Sequence, residues 1–380
     1  MNRSHIIRCF SCLLLCLASV ATMGACKASG LDGPPDALIV YSSDKGAANK
    51  YHIYLATWPD PKPRQLEPKA IGEYGLGDFL YVSSFSPDGS KVVVVGNRRL
   101  PNGKQVETDG VKGTDLWVLD IKANTIKPIT TDGASYHFTQ WSPDGRYVSA
   151  ISHEGYWPTP PIDDIGEWKL NLYVWEVATG RRTFLASSVN GSTWSRDGKY
   201  LYYDGQTDRF GPPTILRISR SGGKPVVGLE EAQWVGWVSP NGKYLSFGGF
   251  QLGIKTLGSK EVRYFLSQTS PVTRFDHLWA PDSRQIAVAD VTYDGYPQKA
   301  RLMILDTTTR ETRILDDKHN QGSIIAWSHD GKWIIVTRSS GDGEASKTTL
   351  DAVSANGQQA VTLLPSLESN GLDWHELPSK

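Results

Sequence analysis

The sequence predicts an all-β fold, a single β-propeller of four-stranded antiparallel blades. Seven blades are favoured, with six as the alternative. Three observations carry this expectation. A five-residue phrase recurs at regular spacing, short β-rich runs follow it, and no helical period persists beyond the N-terminal segment.

The phrase appears as FSPDG at Phe85–Gly89, WSPDG at Trp141–Gly145 and WSRDG at Trp194–Gly198. It continues as VSPNG at Val238–Gly242, WAPDS at Trp279–Ser283 and WSHDG at Trp327–Gly331. From Asp88 to Asp330 the five steps average about 48 residues, within the range of propeller blades. The phrase is a tight reversal. Pro presets φ, Asp bonds its own backbone, and Gly accepts positive φ where the next strand begins. These Asp residues are therefore read as turn formers and not as catalytic carboxylates.

After each reversal comes a β-rich run, such as Lys91–Val95, Tyr147–Ile151, Tyr200–Tyr203 or Trp333–Val336. A second pair of runs completes the unit, as in Asp115–Asp120 with Ile126–Ile129, or Leu302–Asp306 with Thr312–Leu315. Each unit thus reads as four strands, A to D, joined by hairpins. Ala37–Ser43 and Tyr51–Ala56 read as strands B and C of a unit without its own A. Asn370–Trp374 reads as an A strand without the rest. Joined, the two ends make one more blade and remove the exposed sheet edges. Residues 37–375 hold seven such periods; six is the count if the ends do not pair.

The first residues read as an address. Arg3 and Arg8 precede an apolar run around Leu13–Leu17, which ends in Met23-Gly24-Ala25-Cys26. The run is shorter than the roughly 20 residues a bilayer needs, so it reads as a secretory signal. All four cysteines, Cys9, Cys12, Cys16 and Cys26, lie here, which leaves no disulfide or thiolate metal site in the body. Met23–Cys26 resembles the bacterial lipobox, with Met where Leu is usual. Lipidation of Cys26 is the expectation, and Lys27 after it suggests the outer membrane facing the periplasm. The expected organisation is a signal over 1–25, a tether over 26–36, the propeller over 37–375 and a tail over 376–380.

Composition narrows the function. Basic and acidic residues balance at 40 each, so nucleic acid is not an expected partner. Thirteen Trp and sixteen Tyr exclude a disordered chain. There is no phosphate-binding glycine motif, and no cofactor or metal is expected.

Strand parity places the long B–C loops on one face with the D–A connections, and that face is the expected binding surface. Its most unusual loop, 152–169, carries Tyr156, Trp157, Asp163, Asp164 and Trp168. Exposed aromatics beside acids suit a peptide or a sugar face; the alternative is that the tryptophans pin the loop to the propeller. Two A strands add Tyr136, His137 and Gln140, and Arg274, Asp276 and His277. Two His with polar neighbours suit a metal or acid–base chemistry; a polar funnel lining is the simpler reading.

The W-S-P-D-G-K/R phrase, its following strand and the later L/I-Y/W-V-x-D strand together resemble the propeller of the TolB family. They also resemble the propellers of prolyl-oligopeptidase-type peptidases. The resemblance spans residues 37–375 and implies the fold. TolB proteins carry an α/β domain before the propeller, whereas about ten residues separate Cys26 from the first strand here, so that family's role is not carried over. The peptidases need a serine elbow, and no G-x-S-x-G occurs. Oligogalacturonate lyases are similar in length and design but use a clustered His metal site. The resulting expectation is a monomeric, lipid-anchored, noncatalytic scaffold for an envelope protein or peptide. The alternative is a metal-dependent polysaccharide lyase, another glycan-processing enzyme or a lectin using the central funnel.

Overall fold

The computed structural model describes residues 33–44, 50–72, 75–99, 113–154, 169–206, 213–230, 232, 234–248, 251–267, 273–292, 299–317, 321–340, 347–367 and 371–378. The described residues contain no helix and form seven sheets. The first blade is built from β1 (Ala37–Ser43), β2 (His52–Trp58) and β3 (Arg64–Leu66). A short β4 (Lys69–Ala70) leads to the second blade, β5 (Gly75–Phe85), β6 (Lys91–Arg99), β7 (Asp115–Asp120) and β8 (Thr125–Pro128). The third holds β9 (Tyr136–Trp141), β10 (Tyr147–Glu154), β11 (Lys169–Glu176) and β12 (Arg182–Ala186). The fourth holds β13 (Gly191–Trp194), β14 (Tyr200–Gln206), β15 (Pro213–Ser219) and β16 (Val226–Glu230). The fifth holds β17 (Val235–Val238), β18 (Tyr244–Phe247), β19 (Gln251–Thr256) and β20 (Val262–Ser267). The sixth holds β21 (Thr273–Trp279), β22 (Gln285–Thr292), β23 (Lys299–Asp306) and β24 (Thr312–Asp316). The seventh holds β25 (Gln321–Trp327), β26 (Trp333–Ser340), β27 (Lys347–Ser354) and β28 (Ala360–Leu364), and β29 (Gly371–Glu376) follows.

Closure is as expected. β29 joins the first blade as its inner strand, antiparallel to β1, with register from Ala37↔Glu376 to Ser42↔Gly371. Successive inner strands touch all the way round, β29–β5–β9–β13–β17–β21–β25 and back to β29. Seven blades therefore close on one axis. One feature escaped the sequence reading: β4 pairs in parallel with β8, so the connection leaving the first blade covers the outer edge of the second.

The recurring phrase is a self-contained hydrogen-bonded turn. In the second blade, the Ser86 hydroxyl donates to Asp88 Oδ1 at 2.6 Å, and the Lys91 N–H donates to Ser86 Oγ at 3.0 Å. Gly89 has φ 69° and donates its N–H to Ser86 O. The same Ser–Asp or Ser–Asn contact recurs at Ser142, Ser195, Ser239 and Ser328. Hydrogen bonds from Ser86 and Ser90 favour the carboxylate, so Asp88 is held down to about 2.

The phrase tryptophans staple neighbouring blades. Each indole N–H donates to a carbonyl in the preceding blade: Trp141 to Ser84, Trp194 to Gln140, Trp279 to Trp237 and Trp327 to Leu278. At the first–second blade seam the phrase begins with Phe85, which has no such donor. There the Asp373 carboxylate accepts the Phe85 N–H at 2.6 Å. His329 stands where most phrases have Pro. Its backbone N–H donates to Glu376 Oε2 at 2.6 Å, a bond that Pro cannot make, and this ties the seventh blade to the closing strand.

Candidate functional site

An inner strand of a closed propeller has neighbouring blades against both faces of its sheet. Large side chains that remain exposed on it therefore open towards the central channel or onto one of its rims. Five aromatic residues do so: Phe79 (44% exposed), Tyr81 (43%), Phe138 (63%), Trp234 (51%) and Trp237 (39%). They come from the inner strands of the second, third and fifth blades, with Trp234 immediately before β17. Among the other described inner-strand side chains, His137 and Ser323 are exposed.

Local irregularity displays two of them. Phe138 has φ 51°, in a bulge where the pairing jumps from Ile151↔His137 to Ser149↔Gln140. Trp234 has φ 52°, and its carbonyl accepts the Gly248 N–H at 2.8 Å. Positive φ is unfavourable for bulky residues, and such strain gathers at functional sites. The polar side chains nearby are engaged with one another. The Ser83 and Thr139 hydroxyls bond directly, Gln140 Nε2 donates to Ser192 O at 3.0 Å, and Asn97 Oδ1 accepts the Phe79 N–H at 3.1 Å. The carboxylates are engaged too: Asp78 pairs with Arg99, Asp276 accepts the Ile324 N–H at 3.3 Å, and Asp373 accepts that of Phe85.

The residues expected at the site scatter. Tyr136 is buried, with its hydroxyl donating to Asp132 Oδ1 at 2.7 Å and its ring edge-on to Trp175. Burial and then Asp132 raise its phenol above the usual range. His277 was expected at the funnel wall but is 6% exposed, with Nε2 2.9 Å from Ser246 Oγ. Gly236 faces it across the seam, where a Cβ would overlap that ring. Alternation along β21 turns His277 into the joint between the fifth and sixth blades. His137 is exposed beside Phe138, while Gln140 and Asp276 are half-buried. Arg274 lies in β21 with its side chain outside the described parts. Cys26, Tyr156, Trp157, Asp163, Asp164 and Trp168 lie outside the described residues.

Sequence reasoning missed all five channel aromatics. One signal was present: Val238 occupies the phrase's aromatic position while Trp237 stands just before it. The others depend on which side chains neighbouring blades leave uncovered.

A second concavity lies between the sixth and seventh blades. This shallow, open cleft is lined by Leu302, Ile324 and Val336 beside Arg301, Asp316 and Arg338. Arg338 reaches Asp316 at 2.5 Å and Asp351 at 3.4 Å, and Arg301 pairs with Asp290. Its charged groups thus hold one another.

At the head of the fourth blade, Asp204 is pushed up from 3.8 to about 6 by burial, against the pull of the Gly191, Trp234 and Asn190 N–H groups. Burial likewise raises Asp373 to about 6, against the Phe85 and Trp374 N–H groups. Among the described residues, no three His, Cys, Asp or Glu side chains gather as a metal site.

No protein-family model and no curated protein sequence matches the chain. Solved structures do. Prolyl oligopeptidase B from Galerina marginata superposes with a TM-score of 0.56 at 11% identity, over 87% of this chain and 50% of that one. An oligogalacturonate lyase in complex with manganese gives 0.52 at 15% identity, over 86% and 84%. TolB from Acinetobacter baumannii gives 0.48 at 15% identity, over 90% and 83%. At such identities the likeness establishes the architecture alone, and a fold does not by itself fix a function. The chain is a seven-bladed β-propeller.

Proposed function

We propose that the chain is a noncatalytic binding protein of the bacterial cell envelope, which takes its ligand at the mouth of the central channel. The observation that carries this reading is the set of five exposed aromatics on the inner strands, Phe79, Tyr81, Phe138, Trp234 and Trp237. Exposed aromatic clusters on a rigid scaffold mark binding surfaces. The lipobox-like Met23–Cys26 supports lipid anchoring at Cys26, with residues 26–36 as tether and the periplasmic side of the outer membrane as location.

A metal-dependent lyase reading has less support. His137 and His277 were its candidate ligands, and His277 is buried with Nε2 against Ser246 Oγ. Among the described residues, no three His, Cys, Asp or Glu side chains come together with His137.

The test compares wild type with Phe138→Ala/Trp234→Ala for what each retains from a detergent extract of the envelope, proteins and glycans both being assayed. Loss of a retained species in this variant but not in Phe184→Ala, an exposed aromatic on outer strand β12, supports the channel. Equal retention by all three refutes it. Metabolic labelling with a fatty acid, lost in Cys26→Ser, tests the anchor.

A further inference from the structure

We infer that the ligand of this channel is an uncharged glycan chain, an inference that rests on the channel reading above. The composition of the exposed wall carries it. Among the inner-strand side chains that are described, with Trp234 just before β17, the exposed ones are five aromatics, one His and one Ser, with no aliphatic residue and no Lys, Arg, Asp or Glu; those of Thr273, Arg274, Phe275 and Gln321 lie outside the described parts.

Each alternative class needs something the described part of this wall does not present. A nucleic acid or an acidic polysaccharide needs Lys or Arg to meet its charge. An amphipathic helix needs aliphatic grooves that take its i, i+3 and i+4 side chains. A protein interface surrounds its apolar centre with a polar, often charged, rim. Here the inner-strand carboxylates near the aromatics, Asp78, Asp276 and Asp373, already accept hydrogen bonds from Arg99, Ile324 and Phe85.

Flat rings with hydroxyl and amide groups beside them suit a pyranose. Its C–H face is apolar and lies against an aromatic face, while its equatorial hydroxyls bond to polar groups at the ring edge. Ser83 and Gln140, half-buried on the strands that carry Tyr81 and Phe138, are the nearest such groups, although Ser83 already bonds the buried Thr139 and Gln140 Nε2 already donates to Ser192 O. Three blades contribute rings, which suits a chain of several sugars better than one. The two rings at positive φ are held by bulged or bent backbone, so they are oriented before any ligand arrives.

The experiment titrates the full-length chain in detergent, following tryptophan emission and heat. The probes are hexasaccharides from cellulose, chitin, xylan, mannan and starch, a galacturonate hexamer and a proline-rich decapeptide. The expected result is saturable binding of at least one neutral hexasaccharide, with Kd changing less than about twofold between low and high salt. Trp234→Ala is expected to weaken it at least about tenfold, and Phe184→Ala to leave it unchanged. Phe138→Leu keeps an apolar side chain without a flat face and is expected to weaken binding too; circular dichroism and a melting curve confirm that each variant folds. Binding that Phe138→Leu preserves overturns the stacking argument. Decapeptide or galacturonate binding that Trp234→Ala abolishes, with no neutral sugar bound, overturns the glycan inference and leaves the channel reading standing. Saccharide binding indifferent to Trp234→Ala and Phe138→Leu overturns both.

Discussion

Asp204→Asn isolates the energetic consequence of one buried carboxylate. Asp204 lies in β14 at 4% exposure, and its Oδ1 finds no donor among the described residues. Burial raises its carboxyl from 3.8 to about 6, while the N–H groups of Gly191, Trp234 and Asn190 only partly oppose it. Because the folded pKa is raised, the fold binds the proton more tightly than the unfolded chain does. The stabilisation is complete below the unfolded pKa and is lost as pH rises through about 6. About two pKa units at about 1.36 kcal/mol each make the full effect about 3 kcal/mol. Roughly 2 kcal/mol of it falls between about pH 4.5 and about pH 7.5. Asn keeps the shape and removes the titration. Urea unfolding of wild type and Asp204→Asn at the two pH values therefore gives a stability gap that changes by about 2 kcal/mol in favour of the variant as pH rises. Asp373 titrates in the same direction, but it sits in another blade and is common to both proteins, so it cancels in the difference. Two pH profiles that run parallel would refute the argument. They would mean that the surrounding N–H groups solvate the carboxylate as well as water does.

Three further outcomes test the scaffold. Gly371→Ala places a Cβ against Val82 O and the Tyr81 ring at the closing strand, and is expected to cost about 1–3 kcal/mol in thermal unfolding. Gly75→Ala, with ordinary contacts to Arg99, is its near-neutral control. His329→Pro restores the commoner phrase but deletes the N–H donated to Glu376; a loss of about 1.5–3 kcal/mol and faster proteolysis at the C-terminal strand are expected. His277→Ala removes a buried ring and its contact with the Ser246 hydroxyl, which keeps its bonds to the Trp237 backbone, and opens the fifth–sixth blade seam, so stability falls by about 1–3 kcal/mol while tightly bound metal, measured by elemental analysis, does not change.

The repeat was legible because its information is local. Ser86, Asp88, Gly89 and Lys91 close their turn within six consecutive residues, so the same letters make the same turn wherever they occur. Chain length between phrases then set the blade size, and the half-units at the two ends implied closure at seven. The covering strand β4 was not legible, since a two-residue parallel pairing depends on where the connection passes and has no periodic signature. The binding surface was the least legible part. His277 and Phe138 both stand on inner strands, yet one is a buried joint and the other is displayed in the channel.

By itself the sequence determined that this is an all-β propeller, its turn chemistry and a count of seven units or six, because hairpins and their phrases are specified within a few residues. Tertiary structure alone decided which inner-strand side chains reach the channel. That choice depends on bulges such as the one at Phe138 and on contacts between residues dozens of positions apart, such as His277 against Gly236 and Ser246. Exposure is a property of the ring of blades, and no single repeat contains it.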